Sequence, residues 1–491
     1  MELKVGIFDK GSKGTGWKTI CESEALPHGY LENYEAPVIL FEGSVPEGVG
    51  DFVMRGGAAV ISGADHRSLP PSVNYRGKGF IEEINFKAIS VDSARTPSKA
   101  TFFEGEGWGK YKLQKNQSGY RPDIFPLVQE ESYGKGNILF TGVPLSRFIT
   151  FKGSKERSFN PHTPVTERVS VVDKAKVERV LIWMLREAFS TAGLPYAHYW
   201  YFPRKAPSIF NFRIDVDGEV EDNLAKISEV GKQHDLPINF FINKSKCLGK
   251  ENFLKNIDPI HVIGCHGDKH RVFNTFYENL DNVRKCERWL ENNDMRYEKG
   301  FAAPRGRWKD SLGKVLEELN IKYSSDFGLK FDGLPFFPKM GHERCTTLQL
   351  PVHPFSVENA FEYYRRHMGK QITTNEVTKY FQKVIMDKLR NNEPVLLCSH
   401  PREFGEMVET VLPKLLETVD DFGIERITLE NFASWWKKRD KLPLKVRFNR
   451  QNSSLSIDSD LPSIFKVHVI STTEIKQLEN TDADNIIVES R

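Results

Sequence analysis

Short apolar runs bounded by glycine recur through the first 170 or so positions: LKVGIF from Leu3, APVILFEG around Val38, GGAAVISG around Val60 and GKGNILFTGVPL around Ile138. Runs of this kind predict buried strands of an α/β sheet. The period then changes to that of a helix, with Val177, Val180, Leu181, Met184, Leu185 and Ala188 on one face and Asp173 placed to cap its start. The proline- and aromatic-rich stretch GLPYAHYWYFPRKAPSIF follows and reads as an interdomain linker lying against a surface.

From about Ile209 to Arg439 strand and helix patterns alternate. FNFRID precedes a helical run from Val220 to Gln233, and INFFIN precedes a His-bearing stretch and a helix through Leu280, Val283, Trp289 and Leu290. KGFAAP, a helix near Leu312 to Leu319, IKYSSD, LQLPV, a helix from Asn375 to Leu389, VLLCSH, a helix through Met407 to Val419 and RITL complete the series. About seven such repeats predict a parallel sheet closed, or nearly closed, into a β/α barrel with its chemistry at the C-terminal strand ends. The tail from about Leu442 alternates with period 2 and predicts a small β unit. The expected organisation is α/β in three parts: 1–195, an accessory domain with its linker helix; 196–440, the barrel; and 441–491, the β-rich tail.

Composition narrows the function classes. The chain has 491 residues, 39% apolar and 27% charged, with 69 Lys plus Arg against 66 Asp plus Glu, a net charge of +3. A balance this even gives no electrostatic footprint for nucleic acid or anionic lipid. Six cysteines without CxxC spacing do not form a disulfide framework or zinc ribbon, so free thiols in a reducing compartment are expected. No signal-peptide pattern or membrane-spanning run is legible, which makes the cytoplasm the expected location.

Three stretches at predicted strand ends hold the chemistry: Arg213-Ile214-Asp215-Val216-Asp217-Gly218, Gly264-Cys265-His266-Gly267-Asp268-Lys269-His270 and Cys398-Ser399-His400-Pro401. Singly they are weak, since DxD also occurs at Asp458/Asp460 and Asp482/Asp484, in polar tail sequence. Context discriminates, because only Asp215 and Asp217 follow an apolar strand and precede a glycine and a helix. Two imidazoles four residues apart and one carboxylate make three ligands, leaving a fourth position for water, as in a catalytic zinc site. Water held there can be ionised near neutrality and attack a carbonyl. The second aspartate can take the proton.

At this point the sequence resembles the polysaccharide deacetylase family, the NodB-homology or carbohydrate esterase family 4 group, over about 205–440. Asp215-x-Asp217-Gly218 looks like its first motif and Gly264-x-His266-Gly267-x-x-His270 its second. Phe301-Ala302-Ala303-Pro304 falls where the third belongs, Tyr323-Ser324-Ser325-Asp326 looks like the fourth, and Cys398-Ser399-His400-Pro401 the last. The resemblance implies a distorted (β/α) barrel of the deacetylase type and a divalent metal on Asp217, His266 and His270, zinc first with cobalt and nickel as alternatives. It further implies Asp215 as general base, His400 as general acid, Asp326 orienting His400, and the backbone N–H of Arg305 at the oxyanion, with Arg307 and Trp308 along the substrate groove.

One departure is specific. The third motif ordinarily places an arginine two residues before its proline, paired with the base, and this chain has Ala302 there. Arg213, Arg305 and Arg307 are the candidates to supply that charge. The N-terminal part is similar, more loosely, to flavodoxin-like glutamine-amidotransferase domains, but reads Ile61-Ser62-Gly63-Ala64 at the turn where catalytic members carry a cysteine. A non-catalytic domain for substrate binding or oligomer assembly is expected there.

The expected function is removal of an N-acetyl or N-formyl group from a sugar of a surface glycan or its precursor. Two alternatives stand beside it: a catalytically silent glycan-binding scaffold, motivated by Ala302, and an allantoinase-like hydrolase of small amides.

Overall fold

The computed structural model describes the chain except residues 9–14, 32–33, 66, 68, 70–71, 86–98, 105, 114–123, 161–162, 219–220, 342, 358–372, 459–465, 473, 480–485 and 491. The described residues form two compact units, one of 1–152, 171–205 and 439–491, the other of 153–170 and 206–438.

In the first unit, β1 (Val5–Phe8), β2 (His28–Leu31), β3 (Val38–Glu42), β4 (Ala58–Ser62) and β9 (Gly136–Thr141) pair in parallel in the order β2-β1-β3-β4-β9. Taken alone this is the 2-1-3-4-5 order of a flavodoxin-type sheet. β5 (Asn74–Asn85), β6 (Lys99–Glu104), β7 (Trp108–Leu113) and β8 (Ile124–Tyr133) extend it beyond β9 by antiparallel pairing. Every residue of β3 and β4 is buried, as expected of strands covered on both faces. The helix Lys174–Thr191 starts where Asp173 accepts the Lys176 N–H at 3.2 Å, and it buries the predicted apolar face.

Two expectations need correction here. The stretch read as a linker contains a strand, β12 (Tyr196–Tyr199), all of it buried, which pairs antiparallel with Val467–Ser471. The tail expected as a separate third part therefore lies within the first unit. Its Val446, Phe448, Leu455, Ile457, Val467 and Val469 share a core with Trp17, Leu181 and Leu185. A few short strands with one apolar face cannot stabilise themselves and must bury that face on a larger body.

In the second unit, β13 (Ile209–Val216), β14 (Ile238–Ile242), β15 (Val262–Cys265), β16 (Tyr297–Phe301) and β17 (Tyr323–Ser324) run parallel in sequence order. Leu348–Gln349 continues the sheet beyond β17, and Val395–Ser399 and Glu425–Arg426 both pair with β13. The sheet curls on itself, because the Asn239 amide on β14 reaches the Tyr323 hydroxyl on β17 at 3.4 Å and Arg213 on β13 donates to the Ser325 carbonyl just past β17. Among the described residues no ladder joins its two edges, so the barrel is open.

Helices Phe276–Asn292, Asp310–Glu318, Thr374–Arg390 and Val408–Asp421 lie where the periodicity predicts them, as does Glu221–Gln233, whose expected start at Val220 falls outside the described residues. β10 (Ser154–Asn160) and β11 (Thr163–Ser170) form a hairpin that belongs to this unit. All six cysteines are buried, and none is in a disulfide. No described helix is long and apolar enough to cross a membrane.

Candidate metal centre

Asp217 stands one residue past the end of β13, and His266 stands one residue past β15. Both are therefore at the C-terminal edge of the sheet, where backbone leaves the ladder and side chains can converge. His270 lies in the loop that follows. Gly267 makes that loop possible: its φ is +82°, and a Cβ there would sit 2.7 Å from the Asn282 amide nitrogen. Asn282, on the next helix, clamps the loop, accepting the Lys269 N–H at 2.6 Å and donating to the carbonyls of Lys269 and Arg271. Asn243 donates to the carbonyls of His266 and Gly267. Neither asparagine stood out in sequence, where each is one polar residue among many.

One ligand atom from each of Asp217, His266 and His270 lies within 4.8 Å of the others, and the His270 Nε2 to Asp217 Oδ2 distance is 3.2 Å. With ligand distances near 2.1 Å, an edge of a zinc tetrahedron is about 3.4 Å. Nδ1 of His266 sits 2.8 Å from the Ala302 carbonyl, which can only accept, so Nδ1 carries the proton and Nε2 the lone pair. That Nε2 is buried without a hydrogen-bond partner. Burial lowers the pKa of His266 against the pull of Asp215 and Asp217, and burial and His266 lower His270 to about 4. Both imidazoles are thus neutral at physiological pH, the form that binds metal. The donor set, the spacing and the buried lone pair fit a divalent cation.

Asp215 is buried beside this trio. Its Oδ2 accepts from Arg213 at 2.8 Å, while its Oδ1 has no partner. Burial would raise its pKa, but Arg213, His266 and His400 outweigh that and hold it below the usual value. Arg213 is thus the side chain, of the three candidates, that meets the base. Residues 213 and 215 are two apart on one strand and so share a face. Its guanidinium is 1% exposed, lies 5.7 Å from the Phe241 ring centre and also donates to the Ser325 carbonyl.

Asp326 is buried, and burial raises its pKa to about 6. It accepts the Ala303 N–H at 2.6 Å and the Ser324 hydroxyl, which ties the end of β17 to the loop after β16. Arg305 is exposed in that loop with φ +59°, a left-handed conformation costly for a residue with a Cβ. Its charge lowers the pKa of His270. The adjacent Gly306 is also left-handed, and a Cβ there would lie 2.0 Å from the Phe327 ring. Arg307 and Trp308 follow, half-buried, and Trp308 packs against the barrel core. His400 ends the strand Val395–Ser399 at the start of a short helix, half-buried, and it lowers the pKa of Asp215.

The chain matches no family model and no curated protein. Among solved structures it is similar to a putative polysaccharide deacetylase from Mycobacterium smegmatis, at 16% identity over 49% of this chain and 94% of that one, TM-score 0.39. It is similar to a family 4 carbohydrate esterase from Streptomyces lividans, at 10% identity over 46% and 94%, TM-score 0.32. It is also similar to a CE4 family pseudoenzyme from Bacillus anthracis, at 17% identity over 47% and 66%, TM-score 0.33. These likenesses cover about half of the chain; what its site does follows from its own residues.

Proposed function

We propose that the second unit is a metal-dependent amide hydrolase that removes an N-acetyl or N-formyl group from a sugar of a surface glycan or its precursor. The observation that carries this reading is the buried, unpartnered Nε2 of His266, facing Asp217 and His270 beside a carboxylate with a free oxygen of its own. Asp217, His266 and His270 would hold the cation, for which zinc is the first choice and cobalt or nickel the alternatives. When bound, it supplies Lewis acidity to the acyl oxygen.

Asp215 Oδ1 takes a proton from the attacking water, and Arg213 on Oδ2 fixes the carboxylate's orientation during that transfer. As the new C–O bond forms and the C–N bond breaks, His400 gives a proton to the departing nitrogen, leaving a free amine and a carboxylate. The Arg305 N–H is assigned to the developing oxyanion, and Asp326 to supporting His400. Arg307 and Trp308 are assigned to the groove.

The silent-scaffold reading draws on Ala302, and the Arg213 contact weakens it by supplying the missing charge. An allantoinase-like activity differs in substrate size and is read out with a small cyclic or linear amide in the same assay. Six buried cysteines outside any disulfide support a reducing compartment, which favours a lipid- or nucleotide-linked precursor as substrate; cell fractionation checks that. The direct experiment measures acetate and formate release from N-acylated sugars by the zinc-loaded protein and by Asp215→Asn. Release that falls in the variant supports the reading, and absence of release from either protein refutes it.

A further inference from the structure

Two strands of the tail, Lys445–Asn449 and Ser454–Asp458, form a hairpin on the first unit. In the first strand Val446 and Phe448 are buried while Lys445, Arg447 and Asn449 are exposed, so alternate side chains divide between core and surface. Cross-strand partners share a face, which sets Ser456 opposite Arg447 and Ser454 opposite Asn449. Met1 pairs along the other edge of the first strand: the Phe448 N–H donates to the Met1 carbonyl at 2.9 Å, and the Met1 nitrogen donates to the Phe448 carbonyl at 2.8 Å. A cavity of about 590 Å³ opens here, lined by the hairpin from Arg447 to Gln451, by Ser454 and Ser456, and by Met1.

The lining carries two guanidiniums, two amides and two hydroxyls, and no carboxylate. Glu2, joined to Arg447 by a main-chain bridge, is exposed, and among the described residues it forms no ion pair with that arginine. Arg450 is held differently: its Nη2 donates at 2.6 Å to the carbonyl of Ala192, which caps the end of the helix Lys174–Thr191. That contact aims the guanidinium while using one of its five N–H donors, and it brings no carboxylate. The turn between the strands is fixed as well. Asn449 Oδ1 accepts the Gln451 N–H at 3.0 Å, and Asn452 Oδ1 accepts the Ser454 N–H at 3.3 Å. A backbone set in advance lowers the ordering cost of binding.

Two guanidiniums without a carboxylate partner disfavour a cation. The one ring in the lining, Phe448, is 2% exposed and offers no face on which a neutral ring could stack. Guanidiniums pair with phosphate oxygens through parallel N–H bonds, and serine hydroxyls can donate to the oxygens that remain. The volume falls within the roughly 300–1,000 Å³ of small-molecule sites, which leaves room for an organic body beyond the phosphate. We propose that this cavity binds a small phosphorylated molecule, its phosphate held by Arg447 and Arg450 over Ser454 and Ser456. The site lies within the first unit, and it stands or falls independently of the deacetylase reading.

The test is calorimetric titration of the metal-free full-length protein with glucose 1-phosphate, with glucose and succinate as the neutral and carboxylate probes. Wild type is compared with Arg447→Ala, with Arg447→Ala/Arg450→Ala, and with His266→Ala as a control for the barrel. Glucose 1-phosphate is expected to bind wild type at one site, tenfold or more weaker in Arg447→Ala, undetectably in the double variant, and unchanged in His266→Ala. No binding to wild type, equal affinity in the double variant, or binding lost in His266→Ala overturns the proposal. Glucose or succinate binding as tightly as glucose 1-phosphate overturns the choice of phosphate. Among the described residues the Arg447 side chain makes no hydrogen bond or ion pair, so Arg447→Ala should fold as wild type does. That variant decides the matter should the double variant fold poorly.

Discussion

Each unit buries a cluster of charged and aromatic side chains, and the two clusters differ in how completely their atoms are paired. In the first unit Glu24 has no exposure, and its two carboxylate oxygens accept the hydroxyls of Tyr196 and Tyr201 at 2.5 Å each. Arg439, equally buried, donates to the carbonyls of Ser23, Tyr199 and Trp200 at 2.8 to 3.1 Å. In the second unit Asp215 and His266 are also buried, yet each keeps one polar atom without a partner. An unpaired buried lone pair costs on the order of 1–3 kcal/mol, so a fold that retains two of them side by side reserves them for a ligand. Apart from the Nε of Arg186, paired atoms hold the first cluster together; spare lone pairs on Asp215 and His266 give the second its chemistry.

The sharpest break between the two comes from removing one carboxylate from each. Asp215→Asn is expected to lower kcat by about 10³, within the range of a lost general base, and, by leaving the buried Arg213 guanidinium without its anion, to cost on the order of 3 kcal/mol, while the protein keeps its metal. Glu24→Ala should cost on the order of 4 kcal/mol, because the Arg186 and Arg439 charges lose their buried anion. Activity per folded molecule should be unaltered. Thermal unfolding and acetate release on both variants read this out, and a Glu24 variant that is stable but inactive would erase the distinction.

Arg213→Leu joins both effects. It leaves a carboxylate buried alone, at a cost on the order of 3 kcal/mol, and it removes the charge that lowers the Asp215 pKa. The base then protonates at higher pH, so the acid limb of the pH–rate profile moves up. An unmoved limb in a folded variant contradicts the assignment of Asp215.

Asp326 gives the smallest effect and the opposite sign of pH dependence. Its pKa is raised to about 6 in the fold, so between about pH 4 and 6 the folded chain holds a proton that the unfolded chain has released, and stability falls as pH rises through that window. Asp326→Asn should relieve this, stabilising the protein by about 2 kcal/mol at pH 8 and by little at pH 4. Denaturant unfolding at the two pH values distinguishes the outcomes.

Much of this contrast is legible along the chain because it is local. The strand-end motifs containing Asp217, His266 and His270 depend on short spacings, and the alternation of strand and helix sets the parallel order of the second unit. Arg213 is legible as well, since it lies two residues from Asp215 on one strand face. What the sequence hides is made by distant pairings. β12 bonds a strand some 270 residues later, which turns an apparent linker and an apparent separate tail into parts of one body. The hairpin β10–β11 is placed by loops more than 130 residues away, and the Asn282 clamp acts through backbone groups with no sequence signature. The pairing of Glu24 with Tyr196 and Tyr201 is invisible for the same reason.

The central claim is that the spare lone pair on His266 belongs to a metal ion. Equilibrium zinc binding to the metal-free full-length protein, followed by competition with a chromophoric chelator, tests it most directly in wild type, His266→Ala and Glu24→Gln. One zinc per chain in wild type and in Glu24→Gln, with affinity at least 100-fold weaker in His266→Ala, is the predicted result. Zinc binding that is absent from wild type, or unchanged in His266→Ala, would contradict it.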